Sequence, residues 1–216
     1  MTKHASSPLS AKFITFEGGE GAGKTTQIQI LENFLKEKGC HVLKTREPGG
    51  TTGAELLRAA LKDHPETHWD PISQVLILYA ARRDLVEKVI KPALARNIWV
   101  LCDRFADSSF VYQGHAQNLG IDFIQTIHTA VLKDFQPDLT FFFDLPPQDG
   151  LKRARNRSHK DFFESMQMDF HQKVYEGYKM LAHNNPRFVT VPGHINSTAL
   201  SQIIFKALQE KFSLPL

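Results

Sequence analysis

The chain has 216 residues, 42% of them hydrophobic, with 26 basic and 23 acidic side chains for a net charge of +3. That length fits one compact domain, or one with small insertions, and the apolar share is enough for a real core. The balanced charge gives no reason to expect a nucleic-acid partner, and no apolar run approaches the length of a membrane span. Two cysteines, Cys40 and Cys102, sit in or beside apolar segments, which suggests buried thiols in a reducing compartment and not a disulfide framework.

Residues 1–10 are polar and lack the apolar stretch of a secretory signal. They are expected to form a disordered tail on a cytoplasmic protein, with residues 11–216 as one domain. The apolar run Phe13-Ile14-Thr15-Phe16 predicts a first strand over Lys12–Glu17. It leads into Gly18-Gly19-Glu20-Gly21-Ala22-Gly23-Lys24-Thr25, which satisfies Gly-x-x-x-x-Gly-Lys-[Ser/Thr]. A helix over Thr25–Lys38 follows, with Ile28, Leu31 and Leu35 on one face and Gly39 to end it. Between strand and helix, such a loop turns successive backbone N–H groups inward onto phosphate oxygens. Lys24 supplies a point charge to the β- and γ-phosphates, the Thr25 hydroxyl can ligate Mg²⁺, and the helix adds the positive end of its dipole. Without that context, the same residues would be a Gly-rich turn with an incidental lysine.

His41–Thr45 predicts a short second strand, Glu47-Pro48-Gly49-Gly50 a turn, and Ala54–Lys62 a helix. His64–Asp70 is polar and irregular. Pro71–Ile90 carries Ile72, Val75, Leu76, Tyr79, Val86 and Val89 at helical spacing. Ile98–Cys102 reads as a third strand, and another helix starts within Asp107–Gln113. Ile121–Lys133 is an amphipathic helix, on which His128 is expected to be exposed or partly packed. Leu139–Phe143 is an unbroken apolar run, expected as a central strand buried on both faces. Pro147–Arg155 and Phe162–Ala182 read as helices, Phe188–Val191 as the last strand and Thr198–Phe212 as the last helix. Trp69 and Trp99 are expected to serve packing. Five strands alternating with helices imply right-handed crossovers. The predicted fold is therefore α/β, a doubly wound five-stranded parallel sheet with helices on both faces.

Ligands collect at the carboxyl ends of such strands. Polar clusters stand at those places: the phosphate loop, Thr45-Arg46-Glu47-Pro48-Gly49-Gly50-Thr51, Asp103-Arg104, and Asp144 with the basic run Lys152-Arg153-Ala154-Arg155-Asn156-Arg157. Asp103 closes an apolar strand, where a carboxylate can orient Mg²⁺ or its waters; the plain alternative is a helix-capping aspartate. Arg104 beside it suits two-pronged contact with an anion. Arg153 and Arg157 lie four apart and share a helix face. Alone, the run would be a solvated basic face. Given a phosphate loop elsewhere, and helix-weakening residues on both sides, it reads as a small mobile lid over about 150–162 that carries arginines onto transferring phosphate. The ten histidines show no ligand spacing, so no metal site is assigned to them.

Together these residues resemble the bacterial form of the thymidylate kinases, P-loop nucleoside monophosphate kinases. The resemblance runs from Phe13 to about Ala182 and includes, besides the loop, Phe16-Glu17-Gly18, Ala80-Ala81-Arg82, Val89-Ile90-Lys91-Pro92-Ala93-Leu94, Asp103-Arg104-Phe105, Tyr112-Gln113-Gly114, Pro137-Asp138 and Gly150-Leu151-Lys152-Arg153. It implies transfer of the γ-phosphoryl of ATP to dTMP with Mg²⁺, giving dTDP on the way to dTTP. It also implies a P-loop NTPase fold and a homodimer, with no nucleic-acid or membrane partner. By the same resemblance, Lys24, Arg153, Glu20 and Asp103 are catalytic. ATP would be held by Gly18, Gly19, Gly21, Ala22, Gly23, Lys24, Thr25 and Thr26 and by Arg155 and Arg157 of the lid. Mg²⁺ would sit at Thr25 and Asp103, directly or through water. Glu20, Arg46 and Arg104 would approach the acceptor's sugar and phosphate, and Leu78, Arg82 and Ser108 its thymine. Tyr112 would lie under the deoxyribose, where a bulky ring can exclude a 2′-hydroxyl.

The sequence departs from the family pattern at a few positions. Leu78 stands where an aromatic ring commonly stacks on thymine, Asp84 where glutamine is common, and Pro192-Gly193 where Asp-Ala is expected near the adenine. His115-Ala116-Gln117 replaces small residues and an arginine. Two rival readings remain at this level. One is a kinase for another nucleoside monophosphate or for a deoxynucleoside. The other is a nucleotide-switched binding protein, although the Asn-Lys-x-Asp guanine signature is absent.

Overall fold

The structure, a computed structural model, describes residues 10–62, 67–154, 166–183 and 185–213. Strands β1 (Phe13–Glu17), β2 (His41–Arg46), β3 (Ile98–Asp103), β4 (Leu139–Asp144) and β5 (Phe188–Pro192) form one parallel sheet in the order β2-β3-β1-β4-β5. The middle place goes to β1, with β4 as its neighbour. Both are interior strands, so both are buried on two faces, and an apolar run alone does not tell them apart.

Helices cover both faces of the sheet. On one, α1 (Lys24–Glu37) and α9 (Ser197–Phe212) pack Ile28, Leu31, Leu35, Leu200 and Ile204 onto Ile14, Phe16, Leu101, Phe141 and Phe143. On the other, α3 (Pro71–Leu85) and α6 (Ile121–Leu132) pack Val75, Tyr79, Leu85 and Ile124 onto Phe13, Val100 and Cys102. Beside them α8 (Met168–His183) brings Tyr178 to stack on Phe142, centroids 5.5 Å apart. The two-residue alternation of a strand explains the split. On β1, Ile14 and Phe16 face α1 and α9, while Phe13, Thr15 and Glu17 face the other way. That second face turns from apolar to polar toward the carboxyl end, where Thr15 Oγ1 and Thr140 Oγ1 share a hydrogen bond of 2.7 Å.

The helix boundaries follow local chemistry. Asp70 caps α3 by accepting the N–H groups of Ile72 and Ser73, and Pro71 fills the first turn, where its missing N–H costs nothing. The helix expected to stop at Ile90 continues through a π-helical turn, Val86–Ile90, into α4 (Lys91–Ala95). Likewise α5 (Ala106–Ser109) runs into π-helical Phe110–Ala116. Helix α2 (Thr52–Lys62) packs on α3, and α7 (Pro147–Ala154) follows β4.

Some expectations are corrected. His128 is buried, within 3.3 Å of the Tyr79 hydroxyl, because it lies on the inward face of α6. Trp99 is core, but Trp69 is 38% exposed and donates its indole N–H to the Ala60 carbonyl at the end of α2. Cys102 is buried and Cys40 only partly so, and both are free thiols. The N-terminal tail (residues 1–9), Arg155, Arg157 and the rest of the lid to residue 162 lie outside the described residues. Among the described residues, no helix is long and apolar enough to cross a membrane.

Candidate active site

Strand register brings the polar ends together. Phe16 of β1 and Arg46 of β2 both pair with Asp103 of β3, so the segments that follow all leave the same edge of the sheet. The loop after β1 is built on positive φ at Gly21 (67°) and Gly23 (94°), a conformation that costs only glycine nothing. A Cβ on Gly21 would overlap the carbonyl of Gly150, so α7 sits directly against the loop. No side chain caps α1, and its first-turn N–H groups have no partner within the helix. Lys24 curls back across the loop, its Nζ 3.1 Å and 2.9 Å from the carbonyl oxygens of Gly18 and Gly19. Burial, with Arg104 adding to it, depresses its pKa. Thr25 Oγ1 donates to Asp103 Oδ2 at 3.1 Å. A hydroxyl and a carboxylate are hard oxygen donors of the kind Mg²⁺ takes. Among the described residues, no group of three or more His, Cys, Asp or Glu could hold a metal. A cation at Thr25 and Asp103 would therefore draw its other ligands from phosphate and water.

A cavity of about 340 Å³ opens from this loop. Gly21, Ala22, Gly23, Lys24, Thr25 and Thr26 line one end with Asp103, and Glu20 stands between the two ends, against Arg104. Arg46, Leu78, Arg82, Arg104, Ser108 and Tyr112 line the other. The arginines there are not held alike. Arg46 is half-exposed and pairs with both oxygens of Glu55 at 3.1 Å. Arg104, with a left-handed φ of 66°, pairs with Glu20 and lies over the Tyr112 ring, 5.3 Å from its centroid. Burial would raise the Glu20 pKa, but Arg104 and Lys24 outweigh it and hold that carboxyl at about 2. Arg82 is buried, its Nε 2.7 Å from Glu47 Oε2 and its Nη2 shared by Phe105 O and Ser109 Oγ. Its Nη1 is buried with no hydrogen-bond partner among the described residues. Burial pushes the Glu47 carboxyl up to about 7 against the pull of Arg82. Arg153 does not reach the cavity; its Nη1 donates to the Gly193 carbonyl at 2.9 Å, past the end of β5.

A phosphate loop facing a wall of arginines is an arrangement for two anionic ligands, and comparison with known proteins agrees. The sequence model of the thymidylate kinase family matches residues 16–204. A thymidylate kinase of Afipia carboxidovorans is 41% identical over 97% of this chain and 93% of its own. One of Oceanobacillus iheyensis is 44% identical over 94% and 93%, and one of Geotalea daltonii 46% over 85% and 90%. The chain belongs to the thymidylate kinase family.

In this thymidylate kinase family member, sequence reasoning passed over several residues that the cavity exposes. Arg58 and Lys62 line it from α2, where Glu55, Arg58 and Lys62 fall on one helix face, a spacing that was there to be read. Arg58 Nη1 donates to the Pro48 carbonyl at 2.8 Å, beneath the cis Glu47–Pro48 peptide. Gln113 lines the cavity from the π-helical segment and donates to Gln74 at 3.3 Å. Glu17 and Tyr178 stand one layer behind the wall. Glu17 falls within Phe16-Glu17-Gly18, but no local pattern pairs it with Tyr178, because they meet across 161 residues of chain.

Proposed function

We propose that the chain transfers the γ-phosphoryl group of ATP to the 5′-phosphate of thymidine monophosphate. One observation carries the reading: in a member of this family, a single cavity joins a phosphate loop to a wall bearing Arg46, Arg82 and Arg104. The transfer is mostly positioning plus neutralisation of charge spread over equatorial oxygens. At the donor end, the inward N–H groups of residues 18–26 and the Lys24 ammonium hold the triphosphate. To do so, Lys24 exchanges two backbone carbonyls for phosphate oxygens. Mg²⁺ held by Thr25 and Asp103 would supply further neutralisation. At the acceptor end, Arg46 and Arg104 take the phosphate, and Glu20, ionised at neutral pH, keeps Arg104 from collapsing onto other acceptors. The partnerless Nη1 of Arg82 supports its assignment to the thymine edge, since a buried donor is costly until an acceptor arrives. Leu78 offers the base an aliphatic surface, and Tyr112 offers the sugar a ring. No general base is needed, because the acceptor is already an anion.

Residues 11–216 act as one kinase domain, with a lid over about 150–162. Arg153 stands at its root, and Arg155 and Arg157 follow. Closure would take Arg153 from the Gly193 carbonyl to the transferring phosphate and exclude water. The enzyme works as a cytoplasmic homodimer without nucleic acid, joined through α3 and α6, where Ile72, Leu76 and Ile121 are exposed.

The test is a panel of nucleoside monophosphates offered with ATP and Mg²⁺. Thymidine monophosphate should be phosphorylated fastest by a wide margin. Preference for another monophosphate would make the chain a different kinase. Slow ATP hydrolysis unaffected by any acceptor would make it a nucleotide switch.

A further inference from the structure

Behind the acceptor wall lies a carboxylate that touches neither nucleotide in the proposed reaction. Glu17, the last residue of β1, is fully buried and does not line the cavity. Its Oε1 accepts the Phe105 N–H at 2.7 Å, and its Oε2 accepts the hydroxyls of Ser108 and Tyr178, each at 2.7 Å. Those two hydroxyls stand 2.9 Å apart, and both face Arg104, whose Nη1 is 3.5 Å from Ser108 Oγ and 3.2 Å from Tyr178 Oη. Each hydroxyl has a single proton, and a guanidinium can only donate. While both protons point to Glu17, both oxygens offer lone pairs to Arg104. A protonated Glu17 would have to donate to one of them. The displaced hydroxyl proton would then face an N–H of Arg104, and that hydrogen bond would be lost.

We propose that Glu17 is a positioning residue for the acceptor phosphate: through the hydroxyls of Ser108 and Tyr178, it fixes the Arg104 guanidinium, and it does so only while ionised. The inference rests on the reading that Arg104 meets that phosphate. The charges around Glu17 place its titration within reach. Burial raises its pKa to about 6, and Asp107 of α5 adds to the rise, while Arg104 and the two hydroxyls oppose it. Asp107 is itself paired with Arg187 at 2.7 Å, and Glu47, farther off, with Arg82. Lys24 approaches from the loop, and the buried Cys102 thiol, pushed up by burial, stays neutral. Glu20, held at about 2, does not titrate in the same range; Glu47, pushed up to about 7, does, and its contribution is common to the wild type and Glu17→Gln.

The experiment is thymidine monophosphate binding by calorimetry between pH 5 and 8, on the wild type and on Glu17→Gln. The ligand's own second ionisation lies near pH 6 and appears in both proteins. Below that pH, log affinity should rise more steeply in the wild type than in Glu17→Gln, by about half a unit of slope, since a tenfold dependence on Glu17 ionisation corresponds to a pKa shift of about one unit. At pH 8 the variant should bind about tenfold more weakly, because one hydroxyl loses its acceptor. Tyr178→Phe, which keeps the ring and removes one of the two hydroxyl links, should bind about tenfold more weakly and flatten the slope toward that of Glu17→Gln. Equal slopes in wild type and Glu17→Gln overturn the proposal. If Glu17→Gln does not fold, the wild type is compared with Tyr178→Phe, and equal slopes in those two overturn it. If the wild type binds no thymidine monophosphate at any pH, the acceptor reading fails and this inference falls with it. Binding with equal slopes sinks only the role of Glu17.

Discussion

The two ends of the cavity are built on different principles. The donor end is one stretch of chain, residues 18–26, satisfied largely by its own backbone: Lys24 bonds the carbonyls of Gly18 and Gly19, and Thr25 donates to Asp103. The acceptor end draws side chains from the β2 end, α2, α3, the β3 end and the helix beyond it. Its charges are stored in pairs with little exposure, Arg82 with Glu47 and Arg104 with Glu20. Breaking one side of a buried pair strands the other charge. Damage at the donor end should therefore cost turnover and spare the fold, whereas damage at the acceptor end should cost both.

The sharpest break of this contrast is Lys24→Ala. Among the described residues, the buried ammonium hydrogen-bonds the carbonyls of Gly18 and Gly19, and water can replace it there. The turnover number should fall about a thousandfold or more, with an unchanged circular dichroism spectrum and melting temperature. Normal turnover would remove the phosphate loop from the mechanism. Next in size is Arg153→Ala. Its hydrogen bond to the Gly193 carbonyl is a resting contact in the proposed scheme. The turnover number should drop about a thousandfold with little change in the Michaelis constant for either substrate. A change in the Michaelis constant alone would make Arg153 a binding residue and no more.

The same contrast explains what the sequence could tell. The donor end is legible because loop chemistry demands glycines, a lysine and a hydroxyl at fixed spacing, and a strand and a helix flank them. The alternation of apolar runs and amphipathic stretches likewise reveals five strands and a parallel sheet. It does not reveal strand order. Leu139–Phe143 is an interior strand buried on both faces, as its apolar run implies, but the same holds for β1, which takes the middle place. At the acceptor end, Arg46, Arg82 and Arg104 stand out as cations near strand ends or within a recognisable motif. Their partners do not. Glu17 and Glu47 fall within Phe16-Glu17-Gly18 and Thr45-Arg46-Glu47, but nothing in those segments says which cation each meets, and Tyr178 lies in a plain helix; only the fold brings them behind the arginines. The π-helical turns after α3 and α5 are invisible for a similar reason, since a single inserted residue barely disturbs apolar spacing.

Arg82→Met probes the acceptor end. The thioether fills much of the volume but removes the cation that holds Glu47 ionised, so the buried carboxyl, already raised to about 7, must take up a proton or stay charged without a partner. Stability should fall by about 3–5 kcal/mol. At this chain length that is a melting point lower by roughly 10 °C. Adding Glu47→Gln to the same protein should recover most of the loss, because the stranded charge is gone, yet thymidine monophosphate affinity should stay weak. A melting point within about 2 °C of wild type for Arg82→Met would place this pair among those that contribute little, as surface pairs do, and the contrast between the two ends would not hold.

The smallest effect belongs to the donor end and tests its independence. Asn196 caps α9 by accepting the Ala199 N–H at 2.8 Å, and the next residue, Ser197, takes two hydrogen bonds from Gln27 of α1 at 2.9 Å. The cap thus braces the helix that carries the phosphate loop, without touching the cavity. Asn196→Ala should cost about 1 kcal/mol. That is a melting point lower by roughly 2–4 °C. The turnover number and both Michaelis constants should stay within about twofold, because Lys24 and Thr25 take their positions from the loop backbone and not from the far helix. A kinetic loss out of proportion to that small destabilisation would mean that the loop depends on α9 for its shape, and the donor end would then be as widely assembled as the acceptor end.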